Sequence, residues 1–164
     1  MKSFFLLCIF SAFLGLKAQT STEPAVGTGT TENPYQIATL ENLYWIYTNT
    51  ARWSLHYIQT ADIDAAGTST WDGNAGWFAI GNSSTRFTGS YDGQGFKIDF
   101  LFINRNTNNN GLFGQLNGAT IKNLGLTNVN ITAPSQVGGL AGQAYGTTLI
   151  TNCYVTGSVS GYTS

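Results

Sequence analysis

Charge is scarce in this sequence. Lys, Arg, Asp and Glu make up 9% of its 164 residues, and no Lys/Arg cluster occurs. That excludes a nucleic-acid partner, because phosphate binding needs a basic face. Histidine occurs once, as His56, and cysteine twice, as Cys8 and Cys153. Neither offers a metal-ligand spacing, so no metal site and no cofactor are expected. Beyond residues 4–16 no second long apolar run follows, which leaves no membrane span after the N-terminal segment. Polarity comes instead from Thr, Asn, Ser and Gly, a balance that suits strands and turns more than helices.

Residues 1–18 read as a secretory signal. Lys2 supplies the positive start, residues 4–16 the short apolar run, and Ala18 the small residue at the cleavage position. Cleavage after Ala18 would leave Gln19 first; the competing reading is a retained anchor. From Gln19 onward five cationic side chains face eight acidic ones, a net charge of −3. Only Cys153 then remains, so no intrachain disulfide can form and packing must supply stability. The expected location is secreted or on a bacterial cell surface.

Residues 19–31, rich in Thr and Gly, read as a flexible leader. Residues 33–37 suggest a short strand. Thr39 can cap a helix over residues 40–48, with Leu40, Leu43, Tyr44 and Tyr47 on one face. That helix would cover an open edge of the β-structure. Residues 53–59, 77–81, 86–91 and 97–103 read as strands. Asp92-Gly93-Gln94-Gly95 forms a tight turn with positive φ available at both glycines.

From residue 111 the chain repeats. Gly111-Leu112-Phe113-Gly114-Gln115 returns 28 residues later as Gly139-Leu140-Ala141-Gly142-Gln143. With one residue inserted, Ile121, Asn123, Leu124 and Leu126 align with Ile150, Asn152, Cys153 and Val155. A period in the twenties with short strands and Gly/Asn turns marks a β-solenoid, each coil satisfying the backbone groups of the last. Leu124, Leu126, Cys153 and Val155 can point inward, and Asn123 and Asn152 can stack at a corner. Cys153 then reads as a small apolar residue with an inert thiol.

These units resemble the GLUG motif. The stretch over residues 87–98 resembles the unit that precedes a first GLUG repeat, and residues 33–37 and 61–64 resemble the start of the same modules. The resemblance implies an all-β fold: a right-handed parallel β-helix, or solenoid, over residues 32–164 with one short N-terminal capping helix. It also implies an exported bacterial protein akin to adhesin-like surface proteins and to zinc peptidases that cleave immunoglobulin A. The zinc site of those peptidases lies in another domain, and no His-Glu-x-x-His is present here. The chain stops at Tyr162-Thr163-Ser164, where another repeat would begin. It is therefore expected to be incomplete, with an open edge prone to edge-to-edge self-association.

Candidate sites each have two readings. Trp71, Trp77 and Tyr91 could form an aromatic platform for a glycan, or pack in the core. Asp62, Asp64 and Asp72 could gather around calcium, or be solvated carboxylates. Asp92 and Asp99 with Lys97 and Arg105 could mimic a polysaccharide-cleaving site, or belong to turns and ion pairs. His56 reads as an outward strand residue. The expected function is a non-catalytic, adhesin-like binding or structural module, not an enzyme, facing a glycan or a host or matrix surface. The alternatives are part of a polysaccharide-acting enzyme, or an inactive fragment of a longer surface protein.

Overall fold

The computed structural model describes residues 19–162. The signal-sequence reading, on residues 1–18, lies outside them. The leader does not hang free. Thr22 N donates to Glu41 O at 3.1 Å, Asn42 Nδ2 donates to Thr22 O at 3.0 Å, and Val26 O accepts from Gln36 N at 3.0 Å. Its Thr/Gly composition suggests mobility, but its backbone closes the outer edge of the first strand.

Strand β1 (Tyr35–Ile37) leads into helix α1 (Leu40–Thr48). Thr39 caps the helix, its hydroxyl accepting from Asn42 N at 3.2 Å. Leu43, Trp45 and Ile46 are buried, while Leu40, Tyr44 and Tyr47 pack partly against the core. Strands β2 (His56–Gln59), β3 (Ile63–Asp64), β4 (Ser90–Asp92), β5 (Lys97–Asp99) and β6 (Phe102–Asn104) follow. The chain continues through β7 (Phe113–Asn117), β8 (Thr120–Lys122) and β9 (Gly125–Ala133). The last three are β10 (Ala141–Tyr145), β11 (Leu149–Thr151) and β12 (Tyr154–Gly161).

Three parallel sheets result. The first runs β1-β2-β4-β8-β11, the second β3-β5-β9-β12 with β6 also on β9, and the third is β7-β10. Register aligns the inward side chains in columns. Tyr35, Tyr57, Tyr91, Ile121 and Ile150 form one, and Ile63, Ile98, Leu126 and Val155 another. One core cluster extends from Tyr35 to Ile131. Gln59 is its bridge: fully buried, it donates through Nε2 to Ala61 O and Lys97 O at 2.8 and 2.9 Å. Its Oε1 accepts from the Tyr91 hydroxyl at 3.0 Å, so no buried polar atom of the side chain is wasted.

The expected all-β, right-handed parallel β-helix solenoid with a capping helix is corrected. The structure is a mixed α/β arrangement of several parallel sheets and a half-barrel, with one α-helix among the described residues. The reason lies upstream of the repeats. Only residues 111–162 have layers of matching length. Before them, 3₁₀ turns at Thr50–Arg52, Ala66–Thr70 and Asp72–Asn74 replace strands. Residues 77–81 and 86–91, expected as strands, contribute only single bridges at Ile80 and Phe87 before β4 begins, and Gly76 bridges Ile103 antiparallel. The expected strand over 97–103 breaks at Phe100, which takes φ 58°. In the tight turn the positive φ falls on Gln94 and Gly95, not on Gly93.

Candidate functional site

A cleft lies where α1 begins. About 340 Å³ in volume, it is lined by Thr39, Leu40 and Glu41 from the helix start, Asp62, Ile63 and Asp64 from the β3 segment, and Gly67 and Trp71 beyond. Its floor is apolar: Ile63 and Trp71 are buried and Leu40 is half-buried. Its rim carries three carboxylates. Asp62 Oδ1 accepts from Lys97 N at 3.0 Å and Asp64 Oδ1 from Ala66 N at 2.9 Å. One oxygen of each aspartate is thus tied to backbone, which orients the group. The arrangement suits a ligand with hydrogen-bond donors and an apolar side, such as an extended polypeptide bearing an amino or guanidinium group. Sequence reasoning placed Asp62 and Asp64 together but missed Glu41, whose only signal is its place in the first turn of the capped helix. Asp72, the third expected calcium ligand, pairs instead with Arg105 at 2.9 Å.

A second, shallower depression of about 150 Å³ lies on the outer face of the first sheet. In-register pairing brings His56 beside Ser90, with Nδ1 2.8 Å from Oγ. The next rung places Asp92 beside Lys122, 3.2 Å apart. Asp92 also accepts from Asn123 Nδ2 at 2.9 Å and from Gln94 N at 3.0 Å. Burial pushes the Asp92 carboxyl up, but the bonds from Asn123, Gln94 and Lys122 outweigh it and hold the group below the usual carboxylate range. Asp92 is thus committed to the turn and the ladder rather than to His56, so the Ser–His contact lacks the third, orienting group of a triad. His56 faces outward as expected, but its partner Ser90 could not be read from the sequence, because no repeat links the two positions.

The remaining expectations fare differently. Trp71, Trp77 and Tyr91 do not form a platform. Trp77 and Tyr91 have no exposed surface and Trp71 only 5%. Trp71 and Trp77 lie together, ring centroids 6.0 Å apart, beneath Tyr44 of α1. Tyr91 stands in the first-sheet column against Phe113. A ring without an open face cannot stack on a sugar. Asp92 and Asp99 sit in different sheets, and Asp99 pairs with Lys97 at 3.4 Å, so the carbohydrate-cleaving pair does not assemble. Cys153 is half-buried against the core, and burial pushes its thiol up, away from the reactive thiolate. The stacked corner does form: Asn152 Nδ2 donates to Asn123 Oδ1 at 3.2 Å, both residues in the left-handed region.

A catalytic metal does not fit the described residues. No three of His, Cys, Asp and Glu stand close enough among them to hold one metal ion, the carboxylates around the cleft included, and the sequence's one histidine is turned to Ser90. Among the same residues, no helix is long and apolar enough to cross a membrane.

Comparison with known proteins places these sheets. The family model for the M26 IgA1-specific metallo-endopeptidase N-terminal region matches residues 54–157. Halomucin of Haloquadratum walsbyi is 39% identical over 142 residues, covering 82% of this chain and 2% of that protein. A proposed Gly-rich membrane protein of Evansella cellulosilytica is 38% identical over 144 residues, covering 84% of this chain and 16% of its own. The crystal structure of a proposed immunoglobulin A1 protease from Bacteroides ovatus shares the fold, with TM-score 0.61 and 22% identity over 81% of this chain and 40% of that one. The chain therefore spans less than half the length of each.

Two expectations are overturned by these matches. The GLUG resemblance is replaced by the M26 N-terminal region, and the adhesin-like module, with its polysaccharide-enzyme alternative, by a protease-related region. The glycines behind the resemblance report close backbone approach, not a family. A Cβ on Gly142 would lie 2.6 Å from Gln136 O, and one on Gly114 would lie 2.8 Å from Asn109 O. Stacked parallel strands at close corners demand such glycines wherever they occur. Over residues 54–157 this chain belongs to the family of the M26 IgA1-specific metallo-endopeptidase N-terminal region.

Proposed function

We propose that this chain is a polypeptide-recognition region of a longer M26-type metallopeptidase, acting outside the hydrolytic step. The observation that carries the reading is the cleft at the start of α1, where Glu41, Asp62 and Asp64 ring an apolar floor whose Ile63 and Trp71, with both aspartates, lie within the family-matched residues 54–157. Fixed carboxylates over buried Ile63 and Trp71 can hold an extended segment by its donors while its apolar side rests on the floor. The substrate named by the family, immunoglobulin A1, is the first ligand to test. Biolayer interferometry should register binding of immunoglobulin A1 and not of immunoglobulin G. The triple variant Glu41→Gln, Asp62→Asn, Asp64→Asn keeps the acceptors but removes the charge; it should weaken binding by about tenfold or more, roughly 1.4 kcal/mol. No binding by the unaltered chain would remove the recognition role.

Export to the cell surface or beyond goes with this reading. It is supported by the short apolar run at residues 4–16 and by a halomucin and a proposed membrane protein among the relatives. N-terminal sequencing of the protein from the culture medium or the envelope fraction should begin at Gln19. Recovery from the cytoplasm with Met1 or Lys2 intact would sink it.

A further inference from the structure

At one internal point the chain turns away from its own sheets. β1 stacks on β2, and the outer edge of β1 is covered where Gln36 N donates to Val26 O at 3.0 Å. β2 leads on into β3, which joins the second sheet. β1 has no such continuation. Thr39 caps α1 instead, and the helix carries the chain off before a rung can form over β3. β3 is therefore the last strand of its sheet on that side, and the cleft at the start of α1 lies beside it. The helix cap, inside the chain, sets this missing rung.

Register decides which backbone groups face the cleft. Ala65 N donates to Asp99 O at 2.8 Å, and Ile63 stands opposite Ile98. Backbone groups along a strand point to alternate sides. Ile63 and Ala65 therefore bond toward β5, while the N–H and C=O of Asp62 and Asp64 point to the open side. No strand among the described residues pairs with that side. Such an edge takes an added strand from an extended peptide, whose main chain supplies affinity and whose alternate side chains meet fixed neighbours.

Those neighbours define the ligand. The Asp62 and Asp64 side chains are exposed, whereas Ile63 between them is turned to the core at 2% exposure. On the next strand Lys97 and Asp99 pair with each other at 3.4 Å. Among the described residues no cation pairs with Glu41, Asp62 or Asp64. A strand laid beside β3 puts two side chains against these unbalanced carboxylates. The side chain between them meets the nearly closed floor of Ile63 and Trp71. Basic residues suit the first two positions and a small apolar residue the middle one.

We infer that the cleft binds an extended polypeptide of the pattern basic, small apolar, basic, by adding it as a strand to the free edge of β3. The inference rests on the recognition role proposed for this cleft and adds the binding mode and the sequence it reads. Because pairing uses main-chain N–H groups, proline at a pairing position is excluded.

The probe is the peptide acetyl-Ser-Lys-Ala-Lys-Ser-amide, titrated into the protein with amide exchange followed by NMR. The Asp64 amide should exchange fast in the free protein and slowly at saturation, while the Ile63 amide, already bonded toward β5, should not change. Two further peptides carry N-methyl groups, one on the alanine and one on both lysines. The set that faces β3 should lose affinity by about tenfold or more, and the set that faces away should stay within about twofold. Glutamate in place of both lysines should abolish binding. Strand addition is overturned by an Asp64 amide already protected without peptide, by one indifferent to it, or by equal responses to the two methylated peptides. If immunoglobulin A1 binds through the carboxylates and the peptide does not bind, strand addition fails and the recognition role stands. If neither binds, both fail.

Discussion

The Asp99 carboxylate accepts from the Thr127 hydroxyl and from Asn128 Nδ2, each at 2.8 Å, with Lys97 beside it. The Thr127 bond, more than those of Asn128 and Lys97, holds the group below the usual carboxylate range. In the unfolded chain it titrates near the ordinary value of about 3.9. Its stabilisation is therefore complete above about pH 5 and is lost as pH falls through about 4 toward the folded value. Asp92 adds to the same acid limb. Thermal melts between pH 6 and pH 3 should show Tm falling below about pH 4.5, with a shallower fall in Asp99→Asn. An unchanged slope in that variant would count against the assignment. Not every such residue was visible beforehand. The Asn123–Asn152 ladder was legible because a repeat relates the two positions. The burial of Trp71, Trp77 and Tyr91 was not, since an aromatic ring suits a core and a sugar platform equally until its neighbours are known.

Helix α1 was the most legible element. Thr39 and the apolar spacing predicted both its start and its extent, and the structure agrees. Burying Leu43 and Ile46 is worth about 1.5–3 kcal/mol each, against about 1 kcal/mol for the cap. Packing therefore holds the helix, and the cap sets where it begins. Thr39→Ala should lower Tm by about 2–4 °C, while Thr39→Ser should restore it. Equal melting of all three proteins would show that the cap contributes nothing. The strand over residues 97–103 was misjudged because Ile98, Phe100 and Phe102 alternate as one strand would. Phe100 takes a left-handed φ and turns outward at 50% exposure, so two short strands meet β9 where one was expected.

By itself, the sequence determined the 28-residue offset that becomes the β7–β10 register, the capped helix, and a charge-free stretch after Lys122. Those are local or periodic properties, written in spacing. Tertiary structure alone decided that the layers form unequal parallel sheets rather than a uniform coil. It also joined Glu41 to Asp62 and Asp64 around one cleft and stacked Tyr35, Tyr57, Tyr91 and Ile121 in one core column. The physical reason is that each depends on which distant segments share an edge, a choice made by packing and pairing across the chain rather than within any window of it.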